Sequence, residues 1–166
     1  MVDIRVAGVG DVDAILGFGA DFVPSFYAPL IGQQRSDAHF AAWWNREGIR
    51  QSVRDQEVVV ATDGNKIIGV GQYGILGDEY VIWKLYVHPE YRGQGIGVRL
   101  INALINEFPA DTPSVLIEHF AANERAGAFY EREGFSVRNI EPNSEGDHRA
   151  DVVWRKKRLS GSRMAG

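Results

Sequence analysis

The segment Leu85-Tyr86-Val87-His88-Pro89-Glu90-Tyr91-Arg92-Gly93-Gln94-Gly95-Ile96-Gly97 sets glycines between a strand-like run and a helical pattern. Such a junction suits phosphate. Glycine lets the backbone come close to the anion, the amides of the first helical turn have no partner within the helix, and the helix dipole favours negative charge. Read alone, Gly-x-Gly at this place is also a tight turn with no ligand. A second group of polar residues follows in Asn123-Glu124-Arg125-Ala126-Gly127-Ala128-Phe129-Tyr130-Glu131-Arg132-Glu133-Gly134-Phe135. On a helix Asn123, Ala126 and Tyr130 share one side, at steps of three and four residues. Taken singly, Asn123 reads as a helix cap and Tyr130 as a core aromatic.

Together the two segments resemble the GNAT N-acetyltransferase superfamily. Its acetyl-CoA loop, Arg/Gln-x-x-Gly-x-Gly/Ala, is matched by Arg92-Gly93-Gln94-Gly95-Ile96-Gly97, and its Asn-x-x-Ala-x-x-x-Tyr followed by Gly-Phe is matched by residues 123 to 135. The resemblance covers most of the chain, with its specificity in residues 85 to 135. It implies acetyl-CoA as acyl donor, held at its phosphates by Arg92, Gln94, Gly95, Ile96, Gly97 and Val98, along its pantetheine arm by Leu85 and Val87, and by Asn123. Two positions depart from the family pattern. His119 stands where an aliphatic residue is common, and Gly17 and Gly19 interrupt the first helix.

Acyl transfer from a thioester to an amine needs a neutral amine, a polarised carbonyl and a proton for the departing thiolate. The resemblance gives the last role to Tyr130, as general acid in a direct attack. The Val87 amide is the expected carbonyl donor. Glu79 alternates along one strand with Val81, Trp83, Leu85 and Val87, so it is a candidate general base through water, or equally a solvated turn residue after Gly77-Asp78. Family acceptor pockets imply the regions Phe22 to Trp44 and Glu141 to Arg149. Phe26, Tyr27, Phe40, Trp43 and Trp44 with Asp78, Glu79 and Glu118 would suit a cationic primary amine, a small molecule such as a polyamine.

These groups must be positioned by the elements around them. Ile4 to Val6 reads as a strand and Asp11 to Phe22 as a helix; Ser36 is expected to cap a second helix that runs irregularly past Gly48 to Asp55. A three-strand meander follows over Val58–Ala61, Lys66–Leu76 and Glu79–His88, with a turn at Asp63-Gly64-Asn65. Next come the helix from Ile96 closed by Pro109, a strand over Ser114–His119, a helix from Asn123 to Glu133, and closing strands over Phe135–Ile140 and Ala150–Leu159. The pattern is a mixed α/β domain; the resemblance makes it the GNAT acyltransferase fold, a mainly antiparallel central sheet with flanking helices. Residues 1–159 are expected to form one domain and 160–166 a disordered tail.

Composition narrows the function. Acidic residues outnumber basic ones by 22 to 18, with no basic stripe for nucleic acid. With no cysteine, thiolate metal sites and cysteine nucleophiles are absent. His39, His88, His119 and His148 lack ligand spacing, so no metal is expected. The N-terminus does not read as a signal peptide and no later stretch reads as a membrane helix, so a cytoplasmic enzyme is expected, with a homodimer allowed. Two other readings stand beside acetyl transfer. One is a non-catalytic acyl-CoA-binding regulatory domain. The other is an NAD-binding oxidoreductase, since Glu118 lies about 20 residues beyond Gly95-Ile96-Gly97, although Leu100 fills the third glycine position of that fingerprint.

Overall fold

Runs of β-branched residues on either side of Asp63-Gly64-Asn65 form an antiparallel hairpin, β2 (Val58–Asp63) with β3 (Lys66–Leu76), in register Val58↔Gln72 and Val60↔Val70. In this computed structural model residues 1–159 are described. The tail Ser160 to Gly166, expected to be disordered, lies outside the described residues. The remaining strands are β1 (Val2–Val6), β4 (Glu79–Val87), β5 (Ser114–Phe120), β6 (Ser136–Glu141) and β7 (Val152–Arg158). They join the hairpin in one seven-stranded sheet of order β1-β2-β3-β4-β5-β7-β6. β4 and β5 run parallel, pairing Tyr80↔Val115 to Ile82↔Ile117, while β7 lies antiparallel between β5 and β6. The helices are α1 (Val12–Ile31), α2 (Gln33–Trp43), α3 (Arg46–Arg54), α4 (Ile96–Asn106) and α5 (Glu124–Arg132). This is the mixed α/β architecture that the sequence pattern implies, with the mainly antiparallel sheet that the resemblance implies.

The N-terminal helices differ from expectation. α1 runs on past Phe22 through Pro24 and Pro29, because Val23 and Ile31 continue its buried face. The Ser36 hydroxyl donates to the Pro24 carbonyl at 2.9 Å, tying α2 to α1. Ser36 is therefore a buried residue inside α2 and not its cap. The expected second helix is two helices. Asn45 breaks it and caps α3, its Oδ1 accepting from the Gly48 amide at 2.8 Å. Val9–Ile31 is also long and apolar enough to cross a membrane, by length and composition alone. The sequence alone is expected to hold no stretch of the roughly 18 or more apolar residues that suggest a membrane helix. The apolar side of α1, with Val12, Ile15, Phe18 and Val23, is buried among Ile49, Val53, Val58, Val60 and Val70.

The chain divides into two units. The first comprises Met1–Tyr73 and Lys84–Leu104, with the core just described. The second comprises Gly74–Trp83 and the described residues from Ile105, where Val81, Leu116 and Trp154 pack with Trp83 and Val152.

Candidate functional site

In the first unit β4 ends at Val87 and the chain turns through His88 to Tyr91 before the glycines. Two side chains fix that turn. The buried His88 accepts from the Glu90 amide on Nδ1 at 3.0 Å, and the Tyr91 hydroxyl donates to Asp63 Oδ2 at 2.6 Å. Gly93 and Gly95 then take φ of 79° and 76°, the left-handed region that glycine alone enters cheaply. A Cβ built on either would meet nothing within 4 Å, so open space lies directly over this backbone. α4 starts at once with Ile96, held by burial of Ile96, Leu100, Ile101 and Leu104. Gln94 is exposed, Gly97 and Val98 are half-buried, and Arg92 sets its guanidinium 5.5 Å from the Phe26 ring centre. Leu85 and Val87 are half-buried on β4.

In the second unit Tyr130 is 7% exposed on α5, with ring centres of His119, Phe129 and Phe135 at 5.9, 5.6 and 6.0 Å. Asn123 caps that helix, its Oδ1 accepting from the Ala126 amide at 3.3 Å. His119, the departure from the family pattern, is a satisfied histidine. Its Nδ1 faces the Phe120 carbonyl at 2.9 Å, so Nδ1 carries the proton and Nε2 accepts from Arg155 Nε at 3.0 Å. Arg155 also donates to Glu131 and to the Phe135 carbonyl, clamping α5 to β7.

A model of the GNAT acetyltransferase domain matches residues 54–137, half of the chain. The chain belongs to the GNAT acetyltransferase family. It is accordingly an acetyl-CoA-dependent N-acetyltransferase. The fold is similar to that of PaiA N-acetyltransferase from Thermoplasma acidophilum, solved in complex with coenzyme A, at 15% identity over 96% of this chain and 99% of that one, TM-score 0.78. It is also similar to NAA60 from Arabidopsis thaliana in complex with a bisubstrate analogue, at 16% identity over 98% and 100% of the two chains, TM-score 0.70. The ribosomal-protein-S18-alanine N-acetyltransferase of Escherichia coli gives 22% identity over 98% of both chains and a TM-score of 0.62. No curated protein matches the chain.

The carboxylates of this GNAT enzyme's second unit differ in electrostatic setting. Glu79 accepts from Arg138 Nη1 at 2.9 Å and Lys156 Nζ at 3.3 Å. Desolvation pushes its carboxyl up, but the hydrogen bonds and charges of Lys156 and Arg138 outweigh this and hold it below the ordinary range. It lines an open cavity of about 610 Å³ with Asp78, Tyr80, Asp111, Lys156 and Arg158, at the start of β4 and β5. Tyr130 does not line that cavity. Glu118, by contrast, is pushed up to about 7, first by burial and then by the charge of Glu141. Strand alternation sets it on the Trp154 face of β5, with His119 on the α5 face. The sequence reading counted Glu118 only as a pocket acid or ribose ligand. Nothing in its spacing signals an elevated pKa, which comes from burial and from Glu141 on β6.

The aromatics expected to receive a cationic amine are in the first unit. Two of them already face a cation: Lys84 Nζ lies 5.7 and 5.4 Å from the ring centres of Trp43 and Trp44. Gly19 explains that arrangement, since a Cβ there would fall 2.3 Å from the Trp44 ring. Among the described residues no three His, Asp or Glu side chains converge to hold a metal.

Proposed function

We propose that residues 1–159 act as one acyltransferase domain that transfers the acetyl group of acetyl-CoA to a small primary amine, with Tyr130 as general acid. The observation that carries this is the loop at α4: two left-handed glycines, open space above them, and a helix start directly behind. That cradle fits a pyrophosphate, contacted by the backbone of Gln94, Gly95, Ile96, Gly97 and Val98, with the Arg92 charge beside it. Leu85 and Val87 would run along the pantetheine arm. The family match draws on both units, which supports a single acting domain.

Acetyl-CoA supplies a thioester, whose carbonyl carbon is the electrophile and whose sulfur is the leaving group. The chain's own residues supply the rest. Tyr130, a buried residue flanked by three neighbouring rings, donates a proton to the departing thiolate. The Val87 amide polarises the carbonyl. Glu79 was the expected base, yet two cations lower its basicity. Glu118 is better tuned to take the amine's proton, because its carboxyl titrates near neutral pH. Asn123 holds the start of α5 and so the placement of Tyr130.

Two of the five aromatics expected to receive a polyamine already face Lys84, and the acceptor is carried forward as a small primary amine. The test is acetyl-CoA-dependent thiol release across a panel of amines, with a melting-temperature scan beside it. Excess acetyl-CoA or CoA should raise the melting temperature while NADH does not. No shift with CoA, or no thiol release with any amine, would overturn the reading.

A further inference from the structure

Lys84 is 4% exposed, yet its ammonium has one hydrogen-bond acceptor, Gln72 Oε1 at 2.9 Å. Gln72 is itself held by Nε2 donating to Ser52 Oγ at 3.0 Å, which fixes its oxygen toward the lysine. An ammonium has three N–H donors, and no carboxylate among the described residues forms an ion pair with this one. The faces of Trp43 and Trp44 supply the remaining stabilisation. Beside it the Trp44 Nε1 is buried and has no acceptor at all. Two adjoining residues thus carry buried donors without a full set of acceptors: the Lys84 ammonium has one, and the Trp44 indole N–H has none. Buried donors are ordinarily paired, and a buried charge ordinarily has a counter-charge.

The other groups around them are not anionic. His39 from α2 is kept neutral, its pKa lowered to about 4 by burial and then by the Lys84 charge. Its ring packs against Tyr27 of α1 and Trp43, and the Tyr27 and Tyr86 hydroxyls share a hydrogen bond of 2.9 Å. Tyr86 in turn packs edge-on to Trp44. Burial alone moves Lys84 down to about 8, with no carboxylate opposing it. Trp43, whose ring centre lies 5.7 Å from the ammonium, is itself 41% exposed at the end of α2.

We infer that Lys84 and Trp44 form a receptor for a carboxylate carried by the acceptor substrate, so that the acceptor is an amine that also bears a carboxyl group, of the amino-acid class. This rests on the acetyl-transfer reading only for calling the ligand an acceptor. A carboxylate offers about four lone-pair sites, enough for the open donors of Lys84 and the indole N–H together. It also restores the counter-charge that the buried ammonium lacks. Lys84 lies three residues before Val87 on β4, a separation of about 10 Å along an extended strand.

The experiment is a titration of lysine Cε resonances by NMR. The chain has four lysines, Lys66, Lys84, Lys156 and Lys157, and the signal absent from a Lys84→Met variant identifies Lys84. The probes are glycine, β-alanine, 4-aminobutyrate and 6-aminohexanoate, each beside its amide. At least one acid should raise the Lys84 midpoint by about one pH unit or more while its amide leaves it in place. Trp44→Phe, which removes the indole N–H and keeps a ring, should weaken that acid's binding by about tenfold and leave the amide's unchanged. If every acid and its amide move Lys84 equally, or none moves it, the carboxylate receptor is wrong. Thiol release is read separately. Its absence with the Lys84 response intact would sink acetyl transfer and keep the receptor, and the converse holds too.

Discussion

Arg155 Nε donates to His119 Nε2 at 3.0 Å, and the same guanidinium reaches Glu131 on α5, the helix that carries Tyr130. The bond requires a neutral imidazole. Burial lowers the His119 pKa, the Phe120 carbonyl raises it, and the Arg155 charge lowers it again, for a net fall below 6.5. A histidine depressed in the folded state binds fewer protons there than in the unfolded chain. Its contribution to stability is therefore complete above about pH 6.5 and is lost as pH falls through the folded value. His39, down to about 4, has the same sign. The melting temperature should fall from pH 6.5 toward pH 4, and His119→Gln should flatten part of that slope. A profile level across this range would contradict both assignments.

Gly95 has φ of 76° and open space at its Cβ position, so a side chain there meets no clash but must adopt a left-handed backbone. Gly95→Glu should cost about 1 to 2 kcal/mol from the backbone while its charge falls where phosphate is proposed to lie. The variant is expected to fold with a modestly lower melting temperature and to lose the stabilisation that CoA gives the parent. A folded Gly95→Glu protein with unchanged CoA affinity would move the phosphate site elsewhere.

Much of this site was legible because it is local. A strand end, two glycines and a helix start occupy adjacent positions, and residues 123 to 135 span one helix with its cap and the turn after it, so type and spacing carry the pattern. What stayed hidden depends on contacts between distant elements. Lys84 is one lysine in a strand, and nothing near it in sequence announces that Trp43 and Trp44 cover it while Gly19 makes room for them. Those same tryptophans read as a box for a substrate cation. The α2–α3 break was missed for a related reason: Asn45 is an ordinary polar residue until its Oδ1 meets the Gly48 amide. Ser36 looked like a cap because its true partner, the Pro24 carbonyl, is 12 residues earlier on another helix.

Lys84 should make the protein less stable than it need be. Burial that brings an ammonium from 10.5 to about 8 costs the native state on the order of 3 kcal/mol while the group is charged. The unfolded chain holds the proton longer, so stability should rise as pH goes from about 8 to 10.5. Lys84→Met keeps the stem and removes the charge. At pH 7 it should melt several degrees higher than the parent, and its stability should not climb between pH 8 and 10.5. A lower melting temperature would mean that Gln72 and the two indoles more than offset the desolvation.

Glu118 as the proposed base predicts an acid limb in the rate. With a carboxyl near 7, kcat/KM should fall about tenfold for each pH unit below that value, after allowance for the amine's own protonation. Glu118→Gln should lower the rate and remove this limb, while Glu79→Gln leaves it in place. If Glu79→Gln abolishes the limb instead, the carboxylate bound by Arg138 and Lys156 is the base, and its salt bridges must open in the substrate complex.

Tyr130 is the residue on which the catalytic proposal turns most directly. Phe in its place keeps the ring that packs against His119, Phe129 and Phe135, and the backbone carbonyl that accepts from the Phe135 amide at 2.9 Å is untouched. Tyr130→Phe should therefore fold and should bind CoA like the parent. General acid catalysis is worth roughly 100- to 10,000-fold, and a thiolate of pKa about 8.5 is already a fair leaving group, so the loss in kcat should sit near the lower end. The loss should be smaller for an acyl donor with a more acidic thiol, since such a leaving group needs less help. Full activity in Tyr130→Phe, with the chemical step limiting, would make Tyr130 a packing residue and pass the proton to water.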